Sequence, residues 1–209
     1  MTRGPDQARR TLILSPMLVL ALTLTLSVAR EPASADPPVP AWNLAMLMAG
    51  MRTVHQATGS FVEQKFVQML KQPLQSSGRL IYVAPDRLQK QTLVPAPSDL
   101  IVNGDRLTVQ QPDGKTREVS LSGFPEIGAL IESIRATLAG DTATLSRYYT
   151  ATLTGTADDW SLQLEPRDPR LSKLLTMVRI QGEGTNIRTV ETLERDGDRT
   201  DMTITPESE

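Results

Sequence analysis

Two periods divide the chain. Over residues 42–56 the apolar side chains Leu44, Leu47, Met48, Met51 and Val54 recur at helical spacing and form one face. Gly59 reads as the stop of that helix. From Ser60 the period falls to two, and residues 60–68 alternate as a strand. Ser76-Ser77-Gly78 reads as a turn, followed by strands at 79–83 and Arg87–Val94, set apart by Pro85-Asp86 and closed by Pro95-Ala96-Pro97. Residues 99–102 and 106–109 flank Asn103-Gly104-Asp105, the strongest hairpin signal in the chain. Asp113-Gly114 turns the next strand onto 117–121. The helical period returns at Phe124-Pro125-Glu126, with Ile127, Leu130, Ile131, Ile134 and Leu138 on one face and Ala139-Gly140-Asp141 as its stop. Strands at 148–154, 160–164, 177–181, 187–193 and 199–204 complete the pattern, with turns at Gly155, Gly182 and Asp196-Gly197.

About ten or eleven short strands and two or three helices follow from this pattern, most strands neighbouring the next in sequence. The fold class is α+β and mainly antiparallel β, a meander large enough to curl, with amphipathic helices to cover one opening.

The first 35 residues carry a different pattern. Arg3, Arg9 and Arg10 precede a nearly uncharged stretch over 11–29, and Ala33-Ser34-Ala35 offers small residues at the spacing a signal peptidase reads. The expected organisation is a cleaved signal peptide at 1–35 and a single domain at 36–209, placed in the periplasm. An uncleaved anchor is the alternative, weakened by Pro16 and the Thr and Ser residues in the run. Ser27-Val28-Ala29 is a second possible cleavage site.

Composition narrows the chemistry. The 209 residues include no Cys and one His, which excludes disulfides, thiolate metal sites and multi-histidine metal centres. A formal charge of −2 argues against nucleic acid. His55 sits at a helix end without a nucleophile elbow, so it reads as a partly exposed residue and not a catalytic base. The acidic pairs Asp158-Asp159, Glu126 with Glu132 and Glu191 with Glu194 read as solvated groups, and Asp196-Gly197-Asp198 as a hairpin turn lacking the further ligands of a calcium loop. No catalytic residue, metal site or cofactor is expected, and the protein is not expected to be an enzyme. Apolar surface remains: either it fills a core, or the curled sheet and helices enclose space for a ligand, with Met and Leu of the first helix as an adaptable wall.

The order of motifs resembles a known family. A leader and an amphipathic helix precede Val62-Glu63-Gln64-Lys65, then Gly78-Arg79-Leu80-Ile81-Tyr82-Val83-Ala84-Pro85-Asp86-Arg87-Leu88, the Asn103-Gly104 hairpin, and Ile134-Arg135-Ala136-Thr137-Leu138-Ala139-Gly140-Asp141. This is similar to a divergent branch of the LolA-like periplasmic carriers of outer-membrane lipoproteins. The resemblance implies an unclosed, strongly curved barrel of about eleven strands under a helical lid, with an apolar cavity for lipid or lipoprotein acyl chains. It implies carriage without chemistry, from an inner-membrane release complex to an outer-membrane acceptor. A monomer is expected. Leu80, Tyr82, Leu88, Leu100, Val102 and Leu107 would form the sheet side of the cavity, and Leu47, Met48, Met51, Leu130, Ile131 and Ile134 the lid side. Each could equally be core. One position departs from the family: Ala84 stands where the carriers place an Arg that takes part in lid contacts. The fold therefore transfers better than the lipoprotein hand-off, and another lipid or a glycolipid is a possible cargo. A lipid- or peptide-binding sensor or adaptor on the same fold is the alternative.

Overall fold

Asn43 starts the first helix, its side-chain oxygen accepting the Met46 amide at 3.1 Å. Helix α1 spans Leu44–Met51 and buries Leu47, Met48 and Met51. It is shorter than its apolar period suggests, because the chain turns at Thr53 and is already a strand at Gln56. The computed structural model describes residues 42–207, so the expected signal peptide at 1–35 lies outside the described residues.

Six antiparallel strands follow: β1 Gln56–Phe66, β2 Leu74–Val83, β3 Arg87–Val94, β4 Ser98–Asn103, β5 Arg106–Gln110 and β6 Thr116–Ser120. A short 3-10 turn at Leu121–Gly123 leads into helix α2, Pro125–Leu138, and helix α3, Thr142–Tyr148. Five more antiparallel strands end the fold: β7 Tyr149–Gly155, β8 Trp160–Pro166, β9 Leu175–Glu183, β10 Asn186–Glu194 and β11 Arg199–Pro206. The sheet order is β6-β5-β4-β3-β2-β1-β11-β10-β9-β8-β7. First and last strands therefore meet at the centre, from Gly59 opposite Pro206 to Phe66 opposite Arg199. The two edges, β6 and β7, do not pair. The chain between them is the α2–α3 segment, so helices cross where strand pairing would have closed a barrel.

Sequence expectations change at Gly182, which lies inside β9 and not at a turn, and at three further places. Gly59 does not stop a helix; it lies inside β1, where a Cβ would come within 3.0 Å of the Thr205 carbonyl oxygen on β11. Ser76-Ser77-Gly78 is not a turn but part of β2. The register against β3 shifts between Ser77 and Gly78, and a Cβ on Gly78 would collide with the Gln91 carbonyl. The extra residue of this bulge is Leu93 on β3, and Gly78 lets the two backbones approach closely beside it. Third, the stop after α2 starts another helix, since Asp141 caps α3 by accepting the Thr144 amide at 3.0 Å. That bond and the Thr144 hydroxyl hold the Asp141 carboxyl below its ordinary range. The Asn103-Gly104 and Asp113-Gly114 hairpins form as expected, with Gly104 and Gly114 at φ of 59° and 79°.

Alternation sets two faces on the sheet. The outer one is polar, carrying Thr150, Thr152 and Thr154 on β7 and Arg179, Gln181 and Glu191 on β9–β10. The inner one carries the core in two separate clusters. One joins α1, α2 and α3 to Trp160, Leu162, Leu164 and Ile180 on β8–β9. The other joins Leu121 and Ile131 to Val102 and Leu107 on β4–β5.

Candidate ligand-binding face

The register aligns the sheet-side residues. Tyr82 lies opposite Leu88, Leu88 opposite Val102, and Val102 opposite Leu107. Leu80 and Leu100 both flank Lys90, one row further along the same face. All six residues thus share the inner face. Val102 and Leu107 are core, with Leu88 packed against them. Tyr82 is buried, its hydroxyl has no hydrogen-bond partner, and burial pushes its pKa up. Leu80 is half-buried and Leu100 exposed.

The lid-side residues divide differently. Leu47, Met48 and Met51 are buried to within 2% and belong to the first cluster, with Leu130 packed against it. Ile131 belongs to the second. Helix α2 buries small residues, Ala129, Ser133, Ala136 and Thr137, against α1, α3 and β7; the Ser133 hydroxyl lies 3.1 Å from that of Tyr149. Close packing of small residues leaves part of the bulky stripe of α2 exposed. Ile127 and Ile134 keep 39% and 43% of their surface.

Their direction follows from helical geometry. At about 100° per residue, Ile127 and Ile134 lie between Leu130, packed on one wing of the sheet, and Ile131, packed on the other. Gly128, Glu132 and Arg135 lie roughly 80–160° further round the helix, where they line a separate hollow with Gly104, Asp105 and Leu121. The two isoleucines thus lie on the side of the helix between its contacts with the two clusters. Among the described residues, neither cluster contains a member from β1, β2 or β11, the strands at the centre of the sheet. On the middle strands Phe61 and Tyr82 are buried, while Glu63, Leu80 and, on β3, Lys90 keep part of their surface.

Arg135 anchors the outer side of α2. Its guanidinium donates to the Gly104 carbonyl at 3.3 Å and lies 3.8 Å from Asp86 and 3.3 Å from Glu132. It links the helix to the β2–β3 and β4–β5 turns. Ala84 makes no such reach; its amide donates to the His55 carbonyl at 2.8 Å. Arg87 sits opposite Val83 and Asn103 on the outer face. Sequence reasoning did not find Arg135, since its contact points at Asp86 and Gly104 are distant along the chain.

Two of the three acidic pairs have cationic neighbours. Glu126 binds Lys173, Glu132 binds Arg135, Glu191 binds Arg179 and Glu194 binds Lys65. Glu194, Asp196 and Asp198 bring carboxylate oxygens within 4.8 Å of one another at the β10–β11 turn, with Asp198 also accepting the Gln68 amide at 3.1 Å. Sequence reasoning missed the charged residues of the inner face. Lys90 donates to Glu63 at 2.6 Å, and Ser76 to the same carboxylate at 3.1 Å. Strand alternation already placed both on the apolar side, which was the available signal.

Comparison with known proteins places this architecture. A family model described as outer membrane lipoprotein carrier protein LolA-like matches residues 40–206. No curated protein matches the chain. Among solved structures, a LolA superfamily protein from Nitrosomonas europaea is 10% identical, with 79% of this chain and 92% of that one covered and a TM-score of 0.40. The MucA/MucB complex of Pseudomonas aeruginosa contains a chain 13% identical, with 79% of this chain and 56% of that chain covered and a TM-score of 0.40. LprF from Mycobacterium bovis is 11% identical, with 78% and 89% covered and a TM-score of 0.35. With the family model matching nearly all of the described residues, over one unclosed antiparallel sheet crossed by helices, the chain belongs to the LolA-like family of outer membrane lipoprotein carrier proteins.

Proposed function

We propose that the protein is a periplasmic carrier that shelters the acyl chains of a lipoprotein or another lipid against its inner face and ferries them toward the outer membrane. The supporting observation is the apolar surface left exposed on the sheet and on α2: Leu100 keeps 40%, Ile127 39% and Ile134 43%, while smaller side chains do the packing of the helix. An acyl chain in water costs about 0.8 kcal/mol per methylene. A carrier offsets that cost with apolar surface that a guest can cover, and releases the guest because the cover is partial. Leu80, Leu100 and Ile134 are the proposed contacts, since they lie on the inner side and retain exposure; Leu47, Met48 and Met51 shape the wall from behind. Delivery to an outer-membrane acceptor, and receipt from an inner-membrane release complex, follow from family membership as part of the proposal.

Mass spectrometry of protein purified gently from the periplasm tests the function. The expected result is a co-purifying acylated species, displaced by a fluorescent fatty-acid probe that binds at micromolar concentration. Absence of both the acylated species and probe binding overturns it. Depletion in cells separates carriage from sensing: loss of a carrier strands cargo in the inner membrane.

A further inference from the structure

Edge strands carry unpaired N–H and C=O groups, and proteins commonly blunt them with charge, proline, bulges or short length. The two edges of this sheet differ in that respect. β6 is five residues long and exposes Thr116, Arg117 and Glu118, with exposed Lys115 just before it. β7 is seven residues long, and its sequence Tyr149-Thr150-Ala151-Thr152-Leu153-Thr154-Gly155 holds no charge and no proline. It pairs with β8 from Tyr149 opposite Pro166 to Gly155 opposite Trp160 without a bulge.

The free side of β7 follows from the phase of its ladder. The Arg167 amide donates to the Tyr148 carbonyl at 2.8 Å and the Thr156 amide to the Asp159 carbonyl at 3.0 Å. Antiparallel bonding alternates, so Thr150, Thr152 and Thr154 turn their backbone groups toward β8, and Ala151, Leu153 and Gly155 turn theirs away. No described residue bonds the N–H or C=O groups of Ala151 and Leu153 on that side. Helix α3 meets the start of the strand, where the Tyr149 amide donates to the Leu145 carbonyl. Side chains divide by face: Thr150, Thr152 and Thr154 are exposed, while Ala151 and Leu153 are half-buried and pack against the first cluster.

An antiparallel strand laid on this side must match that pattern, and β7 itself does. With a two-fold axis through Thr152, Ala151 of one copy stands opposite Leu153 of the other, and each such pair exchanges both backbone bonds. Small meets large on the inner side. On the outer side Thr150 meets Thr154 and Thr152 meets its own copy, pairs that favour cross-strand contact. No like charges meet along the strand.

We infer that β7 is the docking edge for a second copy of this chain, giving a two-fold dimer whose sheets join edge to edge, in place of the monomer expected from the sequence. One strand pair is a small interface, so association falls in the micromolar range. The pairing does not depend on what the inner face holds.

Sedimentation velocity of protein purified from the periplasm is expected to move from the mass of one chain to that of two between about 1 and 100 µM. A chain that stays single throughout overturns the dimer. Thr152→Lys and Thr152→Glu change an exposed side chain at the two-fold axis and bring like charges face to face. Each is expected to weaken self-association about fivefold with Tm unchanged, and mixing the two restores the dimer as a mixed pair. Association as tight as that of the unaltered protein in either variant overturns the assignment of β7. Amide exchange reads the bonds themselves. The N–H groups of Ala151 and Leu153 are expected to exchange more slowly as concentration rises, while those of Thr150 and Thr152, already bonded to β8, change little. Unchanged exchange at Ala151 and Leu153 in a protein that does dimerise overturns the edge pairing. A co-purifying peptide held on a single chain, with Ala151 and Leu153 protected, would assign the edge to another protein's strand and overturn the second copy.

Discussion

At Gly182 one absent methyl group decides how β8 packs on β9. A Cβ there would collide with the Trp160 ring, whose indole N–H donates to the Gly184 carbonyl at 3.0 Å. Trp160 is among the largest fully buried side chains, so the ring cannot move aside cheaply. Gly182→Ala is expected to cost about 1–3 kcal/mol, read as a lowered urea midpoint with unchanged slope. Asp168 acts through charge. The Arg170 guanidinium beside it, with the Arg170 amide, holds its carboxyl at about 2, against 3.8 ordinarily. Because the folded value is the lower one, this contribution is complete above about pH 4 and is lost as pH falls toward 2. Asp168→Asn should therefore flatten the acid limb of stability between those values in chemical unfolding at a series of pH values, with an unchanged limb as the contrary result. The spacing Asp168-Pro169-Arg170 was visible in the chain, but nothing in it indicated which carboxylates would be held by neighbours.

Helix α2 shows what an element's own pattern leaves open. Its apolar stripe is Ile127, Leu130, Ile131, Ile134 and Leu138, yet its buried residues are Ala129, Ile131, Ser133, Ala136 and Thr137. Small side chains let α2 approach α1 and α3 closely, and that leaves Ile127 and Ile134 of the stripe exposed. The two sides of the helix should respond oppositely. Ile134→Ser is expected to change stability by less than about 1 kcal/mol and to weaken fatty-acid probe binding about tenfold. Ala136→Leu is expected to destabilise by about 1–3 kcal/mol, because the added volume has no space to enter. Probe titration with parallel denaturation distinguishes them; equal stability losses would mean that the stripe is core. Among the strands, turn chemistry and alternation found both Asn-Gly and Asp-Gly hairpins. Gly78 misled because a close approach of two strands and a turn use the same residue.

At the scale of the molecule, the proposed function makes stability depend on what the domain holds. An acyl ligand at about 100 times its Kd should add about 2.7 kcal/mol to the unfolding free energy and raise Tm accordingly in calorimetry. No shift with saturating ligand would place the guest elsewhere than in the folded domain. The sequence by itself determined the antiparallel meander, the inner and outer faces of each strand, the two amphipathic helices and the family, because these depend on residue period and turn chemistry within short windows. Tertiary structure alone decided which apolar positions are buried and which stay exposed, that β1 meets β11, that α2–α3 spans the unpaired edges, and that Lys90 pairs with Glu63. A period says which way a side chain points. What stands opposite depends on strand order and on the volumes of partners distant along the chain.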